Sequence, residues 1–288
     1  MTSIKQFASK VIPSEIWRWL RTRSILSSHS KTASLCEDLI KSFRESSGDS
    51  GLHPVKSLES DRIIWQYWSQ GYDELPETVR RCLESVDEFA DGYTVIRLSD
   101  ANLCEYLDIP DYVMKKRPVF TLAFFSDLLR CMLLSTYGGI WLDATVLLTA
   151  PIPQDYRDAD FFLFQRDPDE KDKEYWENTY AYYFSWAKGF RVNMLSSFLC
   201  AKKTSPVINE LSALMLKWWK ENDYLPDYFF FQILYDVLIN GELKDYKCTV
   251  VSDTLPHYLQ QSINDPKFNL MPREDIMATI PIHKLTYK

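Results

Sequence analysis

Residues 124–149 read FFSDLLRCMLLSTYGGIWLDATVLLT. An apolar, helix-like run carries one Asp and one Arg, breaks at Gly138-Gly139, and becomes an apolar strand that stops at Asp143. Paired glycines are a usual way to end a helix, and a helix that turns directly into a strand belongs to an α/β arrangement. The stretch also sets a problem. Asp127, Arg130 and Asp143 sit in the most hydrophobic part of the chain, and buried charges are costly unless they are paired or hold a ligand. Either they staple the core or they build a site.

The flanking sequence extends the α/β pattern. Upstream, RIIWQYW (62–68) reads as a buried first strand and LPETVRRCLESVDEFA as an amphipathic helix. YTVIRLS reads as a second strand, and DANLCEYL opens on an Asp cap. The central helix runs from about Thr121 to Tyr137, and IWLDATVLL is the strand after it. Downstream, ADFFLF, LSSFLCA and CTVVS read as strands, and PVINELSALMLKWWKEN and DYFFFQILYDVLIN as helices. Strand and helix alternate, which predicts an α/β sheet. A helix over 33–45 and a polar linker at Ser46–Gly51 precede it, so residues 1–60 form an arm and 61–288 the main domain.

Within that frame the charges acquire a geometry. Asp127 and Arg130, three residues apart on a helix, face the same way, at the margin of the face claimed by Leu128, Leu129, Met132 and Leu133. Asp143 falls at a strand end, and open α/β sheets bind ligands outside the carboxyl ends of their strands. Thr145, two residues on, points its hydroxyl to the same side of an extended chain. Hard oxygens at that spacing suit Mg2+ or Mn2+ beside a phosphate. An Asp–Arg staple with Asp143 capping a turn is the alternative.

Composition narrows the classes. The chain has 288 residues, a net charge of −7 and no long basic stripe, so nucleic acid is not an expected partner. Nine Trp and seventeen Tyr favour gripping a ring-shaped ligand, though aromatics also fill cores. The six Cys are scattered without zinc-like spacing, which fits buried, reduced thiols. No apolar run approaches the ~18 residues of a membrane span, and no secretory h-region precedes the domain. Residues 1–31 nevertheless carry six basic side chains against Glu15 alone. With Ile4, Phe7, Val11, Trp17, Trp19 and Leu20 they read as an amphipathic segment for an anionic membrane surface, or as a helix packed on the domain.

The block FSDLLRCMLLSTYGGIWLDATV resembles the signature of the capsular polysaccharide synthesis proteins, a glycosyltransferase group of family thirty-two type. IIWQYWSQG, LPETVRRCLESV, SSFLCAKKTSPVI and PIHKLTYK match in order, so the resemblance covers residues 61–288. It implies a GT-A-type, Rossmann-like nucleotide-sugar-binding fold with a mixed central sheet. The implied activity is retaining transfer of a hexose from a nucleotide-diphosphate sugar, UDP-linked, to a glycan or lipid-linked acceptor in capsule or surface polysaccharide synthesis. A catalytically weakened nucleotide-sugar-binding protein of the same fold is the alternative. The implied location is cytoplasmic, peripheral on the inner face of the membrane through residues 1–31.

Carried over residue by residue, Asp127 and Arg130 would hold the ribose or diphosphate and the sugar. Asp143 matches the first Asp of a D-x-D motif, with Thr145 in place of the second. The resemblance thereby implies a variant site that holds a divalent cation, Mn2+ or Mg2+, less tightly than two carboxylates would. His283 would complete the metal shell and Lys284 would lie beside the diphosphate. Trp65 and Gln66 would meet the base, Asn193 the sugar, and Asp227 would stand near the reacting carbon. Tyr180 to Trp186 offer ring faces to an acceptor. Asp143, Arg130 and Asp227 are the catalytic candidates.

Overall fold

The computed structural model describes residues 14–45, 52–180 and 182–287. Helix α1 (Ser14–Glu45) leads into β1 (Ile63–Tyr67), α2 (Glu77–Glu88), β2 (Thr94–Leu98), α3 (Asp111–Lys116) and α4 (Leu122–Tyr137). Then come β3 (Gly139–Leu142), β4 (Val146–Leu148), α5 (Gln154–Arg157), β5 (Phe161–Phe162), α6 (Lys173–Thr179) and β6 (Phe198–Ala201). Helices α7 (Pro206–Glu221), α8 (Phe230–Asn240), α9 (Tyr258–Asn264) and α10 (Arg273–Thr279) precede the last strand, β7 (Ile282–Lys284).

The central sheet is mixed, in the order β2-β1-β3-β6-β5. Strand β1 pairs in parallel with β2 and β3, whereas β6 runs antiparallel to β3 and β5. All five residues of β1 are buried, as expected of a parallel strand covered on both faces. Its side chains alternate between two cores. Ile63, Trp65 and Tyr67 join α4, α7, α8 and α1 on one side, and Ile64 meets Val86 of α2 and Val146 of β4 on the other. The α/β architecture with a mixed sheet and an N-terminal helix is the one the sequence predicts.

Helix α4 is the hub of this arrangement. Thr121 Oγ1 accepts from Phe124 N at 3.2 Å and caps its start, and Gly138 N donates to Leu134 O at 2.9 Å at its end. Gly138 and Gly139 then take φ of 75° and 102°, left-handed values that favour glycine. A Cβ on Gly139 would lie 2.5 Å from Ile63 O, so only glycine lets β3 enter beside β1. The helix is buried almost all round, Asp127 and Arg130 included, because α7 and α8 close over the face that periodicity assigns to the margin.

Several elements differ from the sequence reading. The strand IWLDATVLL breaks at Asp143 into β3 and β4, and β4 pairs antiparallel with β7 in a separate two-stranded sheet. CTVVS forms no strand; its backbone meets the domain through Gln165 N donating to Val251 O at 2.8 Å. Helix α1 is far longer than 33–45, and its residues Ile25, Ala33, Cys36, Leu39 and Ile40 join the main core. The Ser46–Gly51 linker and residues 1–13 of the basic segment, with Ile4, Phe7 and Val11, lie outside the described residues. All six cysteines are free thiols. Among the described residues no helix is long and apolar enough to cross a membrane.

Candidate active site

Strand β3 delivers Asp143 to the carboxyl edge of the sheet, where backbone hydrogen bonds fix the turn that follows. Asp143 N donates to Ser197 O at 2.9 Å, and Val146 N closes back on Asp143 O at 2.9 Å. The chain then enters β4, whose Val146 stands opposite Lys284 of β7, and Leu285 N donates to Thr145 O at 2.9 Å. The β4–β7 ladder thereby sets Lys284 over the turn. Its Nζ donates to Thr145 Oγ1 at 2.5 Å and to Asp143 Oδ2 at 3.1 Å.

Helix α4 approaches from the other side. Arg130 Nη2 donates to Asp143 Oδ1 at 3.2 Å and to Ser126 Oγ at 3.2 Å, while Nη1 pairs with Asp127 Oδ1. Trp141 Nε1 adds a donor to Asp143 Oδ1 at 2.9 Å, and the guanidinium lies 5.2 Å from the Trp141 ring centroid. Staple and site are thus the same residues. The Asp127–Arg130 pair is buried, whereas Asp143 and Lys284 keep part of their side chains exposed to a cleft.

The electrostatics follow from burial and these partners. Burial pushes the Asp143 carboxyl up, but Lys284, Arg130 and the Trp141 N–H together outweigh it and hold the group below the usual carboxylate range. Asp127 goes the other way: burial drives it up to about 7, against the pull of Arg130 and with a further push from Asp143.

The cleft, of about 630 Å³, opens outside the carboxyl ends of β1 and β3. Of the residues expected from sequence, Asp127, Arg130, Asp143, Thr145 and Lys284 line it together. Five do not. Trp65 is wholly buried, with Nε1 donating to Gly138 O at 2.9 Å and its ring against Tyr106 and Tyr137, because alternation along β1 turns it into the α4 core. Gln66 is equally buried and accepts from Arg97 Nε at 3.2 Å. The cleft is lined instead by Tyr67 and Trp68, where β1 runs out.

Asn193 is committed to Asp236 Oδ1 at 3.0 Å and Phe190 O at 3.1 Å. Asp227 lies in a neighbouring hollow of about 540 Å³ against α1. There it accepts from Ser28 Oγ at 2.7 Å and from Phe229 N at 2.9 Å, as a turn-stabilising Asp. His283 fails for a reason of strand geometry: side chains alternate on β7, so with Lys284 in the cleft His283 faces away. It is fully buried, with Nε2 3.4 Å from Thr149 Oγ1. Of the expected acceptor aromatics, Tyr183 lines the cleft and Tyr182 the hollow.

This donor set does not fit a divalent cation. Asp143 is the one carboxylate at the turn, both its oxygens already accept from cationic groups, and Thr145 Oγ1 accepts from Lys284. Among the described residues no group of three His, Cys, Asp or Glu side chains stands where it could hold a metal ion. Mg2+ and Mn2+ want several hard, anionic oxygens, whereas here an ammonium sits between the two oxygens that the D-A-T spacing supplies.

The cleft also contains residues that the sequence reading passed over. Ser196 and Ser197 precede β6, Gln232 lies in the first turn of α8, Tyr228 leads into that helix, and His257 lies before α9. Gln232 interrupts the apolar run FFFQIL much as Asp127 interrupts its own, and that was the legible signal.

Comparison with known proteins places the chain. Residues 18–288 match the family described as capsular polysaccharide synthesis protein, a match that begins inside α1, whereas the motifs begin at 61. An alignment 181 positions long with O-glycosyltransferase braB of Annulohypoxylon truncatum is 28% identical and covers 58% of this chain and 39% of that relative's length. Among solved structures, PaToxG Glycosyltransferase aligns over 87% of this chain and 95% of its own, at 13% identity and a TM-score of 0.39.

Proposed function

The chain belongs to the capsular polysaccharide synthesis protein family, and from that premise we propose that it is a retaining glycosyltransferase that moves a hexose from a nucleoside-diphosphate sugar, UDP-linked, to a glycan or lipid-linked acceptor. The observation that carries the reading is the convergence of Lys284 and Arg130 on Asp143 at the carboxyl edge of the sheet. Glycosyl transfer passes through an oxocarbenium-like transition state while negative charge grows on the departing diphosphate. Fixed cations aimed at that charge, in a cleft with low-dielectric walls, are the most effective single contribution a protein can make.

Lys284 is the group for that task. It is partly exposed, and Asp143 and Thr145 fix its position. Arg130, anchored by Asp127, positions Asp143 from beneath. Retention by same-face attack needs no protein nucleophile, in keeping with a cleft whose two carboxylates, Asp127 and Asp143, are both paired to cations. A diphosphate oxygen then takes the acceptor proton.

A membrane-borne acceptor suits the first turns of α1. Before Ile25 no described residue of the helix joins the core, and Ile16, Trp19 and Leu20 are exposed beside Arg18 and Arg23, with Arg21 half-buried. Basic and apolar side chains together favour an anionic lipid surface.

The test is a screen of UDP-, GDP- and CMP-sugars by thermal shift and donor hydrolysis, with EDTA and with Mn2+. The reading expects at least one donor to raise Tm and to be slowly hydrolysed. If none does either, the assignment fails.

A further inference from the structure

Four residues that line the cleft each carry a polar atom that is buried and has no partner among the described residues: Arg130 Nε, Ser197 Oγ, Gln232 Oε1 and His257 Nε2. Unpaired buried polar atoms are expensive, and natural proteins keep few of them. Arg130 is accounted for, since its other nitrogens are engaged by Asp127, Asp143 and Ser126. The remaining three come from separate elements: the segment before β6, the first turn of α8, and the short helical turn before α9. Three independent parts of the chain thus bring an uncompensated polar atom to one cleft.

From this we infer that Ser197, Gln232 and His257 form the hexose subsite of the donor, reading the hydroxyls of the sugar while Lys284 holds its diphosphate. The inference rests on the transferase reading and names the part of the same cleft that would recognise the sugar. Each partner has chemistry suited to a hydroxyl, which both donates and accepts. Gln232 is 7% exposed, and its Nε2 donates to Ser196 Oγ at 3.3 Å, so the amide is oriented and leaves Oε1 free to accept. Ser197 is 2% exposed, with its backbone C=O already tied to Asp143 N. His257 is packed among the rings of Tyr180, Tyr183 and Phe184. Burial, with Lys284 and Arg166 adding to it, lowers its pKa to about 3, so the ring is neutral and offers a neutral Nε2. Neutral, directional groups discriminate among hydroxyl arrangements without attracting charge, which makes them suited to a sugar and poorly suited to a phosphate.

The experiment compares Gln232→Leu and Ser197→Ala with the wild-type protein. The probes are UDP and GDP alone and the sugar nucleotides UDP-glucose, UDP-galactose, UDP-N-acetylglucosamine and GDP-mannose. Ser197→Ala removes only an unpaired buried hydroxyl and leaves the fold as stable or more so, whereas Gln232→Leu also gives up the bond from Nε2 to Ser196 Oγ; the urea midpoints check this. The expected result is unchanged affinity for the nucleoside diphosphate, and affinity for the sugar nucleotide and its hydrolysis reduced on the order of tenfold, the worth of a neutral hydrogen bond. Loss of free-diphosphate binding to the same extent would place these residues on the nucleotide and overturn the subsite, as would unchanged sugar-nucleotide binding in both variants. If neither UDP nor GDP binds the wild-type protein, the transferase reading itself falls. If Ser197→Ala unfolds at a lower urea concentration, its hydroxyl has a structural partner, and the inference fails for Ser197.

Discussion

Lys284 and Asp143 lie 141 positions apart in the chain and form an ion pair at 3.1 Å, the ammonium also resting 2.5 Å from Thr145 Oγ1. A single cation therefore spans the carboxylate and hydroxyl that a D-A-T turn presents. Under the proposed transferase reading, this is the place from which a positive charge would meet the diphosphate.

Lys284→Ala is expected to lower donor hydrolysis by a factor on the order of 10²–10³, the usual loss for an electrostatic group acting on a developing charge. Lys284→Arg should retain part of it. Because an ammonium already occupies the turn, wild-type nucleotide binding, followed by isothermal titration, should be the same in EDTA as in Mn2+. Binding abolished by EDTA and restored by Mn2+ would show that a metal displaces Lys284.

Arg130 joins two carboxylates from within the core, so its loss should show first as instability. Arg130→Ala leaves Asp127 buried without its cation, a change that typically costs about 3–5 kcal/mol. Denaturant midpoints should fall accordingly, and the paired change Asp127→Leu with Arg130→Met should recover much of the loss, since an apolar pair of similar volume removes both desolvated charges. A single variant as stable as the wild type would mean that the pair is no staple.

What the sequence made legible was the part governed by local chemistry. Thr121, the apolar periodicity and Gly138-Gly139 delimit α4 within one residue, and Asp143 at a strand end marks the edge where the cleft opens. Trp65, Gln66 and His283 were misplaced because which face of a strand meets the cleft depends on the layer that covers it, and covering is a tertiary matter. Strand β7 was missed for a related reason: three residues carry almost no periodicity, and the ladder with β4 alone defines it. The arm was read as separate because its polar linker is local, whereas the packing of Ile25, Cys36 and Leu39 onto the distant α8 is not.

Trp19 offers a direct test of the membrane reading. It is 57% exposed on the first turns of α1, and Arg23 lies 5.3 Å from its ring centroid. The protein should sediment with vesicles containing phosphatidylglycerol and not with pure phosphatidylcholine. Trp19→Ser should reduce that fraction several-fold and leave Tm nearly unchanged, since the ring is mostly exposed and the contact it gives up is with Arg23 of the same helix. Equal sedimentation with both lipids would remove the electrostatic part of the proposal.

His283 supplies a prediction about pH. Burial, only partly opposed by the Ile280 carbonyl, lowers its pKa to about 4, and the side chain is fully buried, with Nε2 3.4 Å from Thr149 Oγ1. The folded protein therefore keeps this ring neutral below the pH at which the unfolded chain, with an ordinary value near 6.5, takes up a proton. Stability from this group is complete above about pH 6.5 and drains away as pH falls toward 4, by about 2 kcal/mol between pH 7.5 and 5. His257, with its value near 3, adds a loss of the same sign. Urea unfolding at the two pH values should thus show a smaller drop in His283→Gln than in the wild type, with the residual drop carried by His257 and other groups. An identical drop in both proteins would mean that the ring is protonated in the folded state, and hence that a carboxylate or water reaches it within β7.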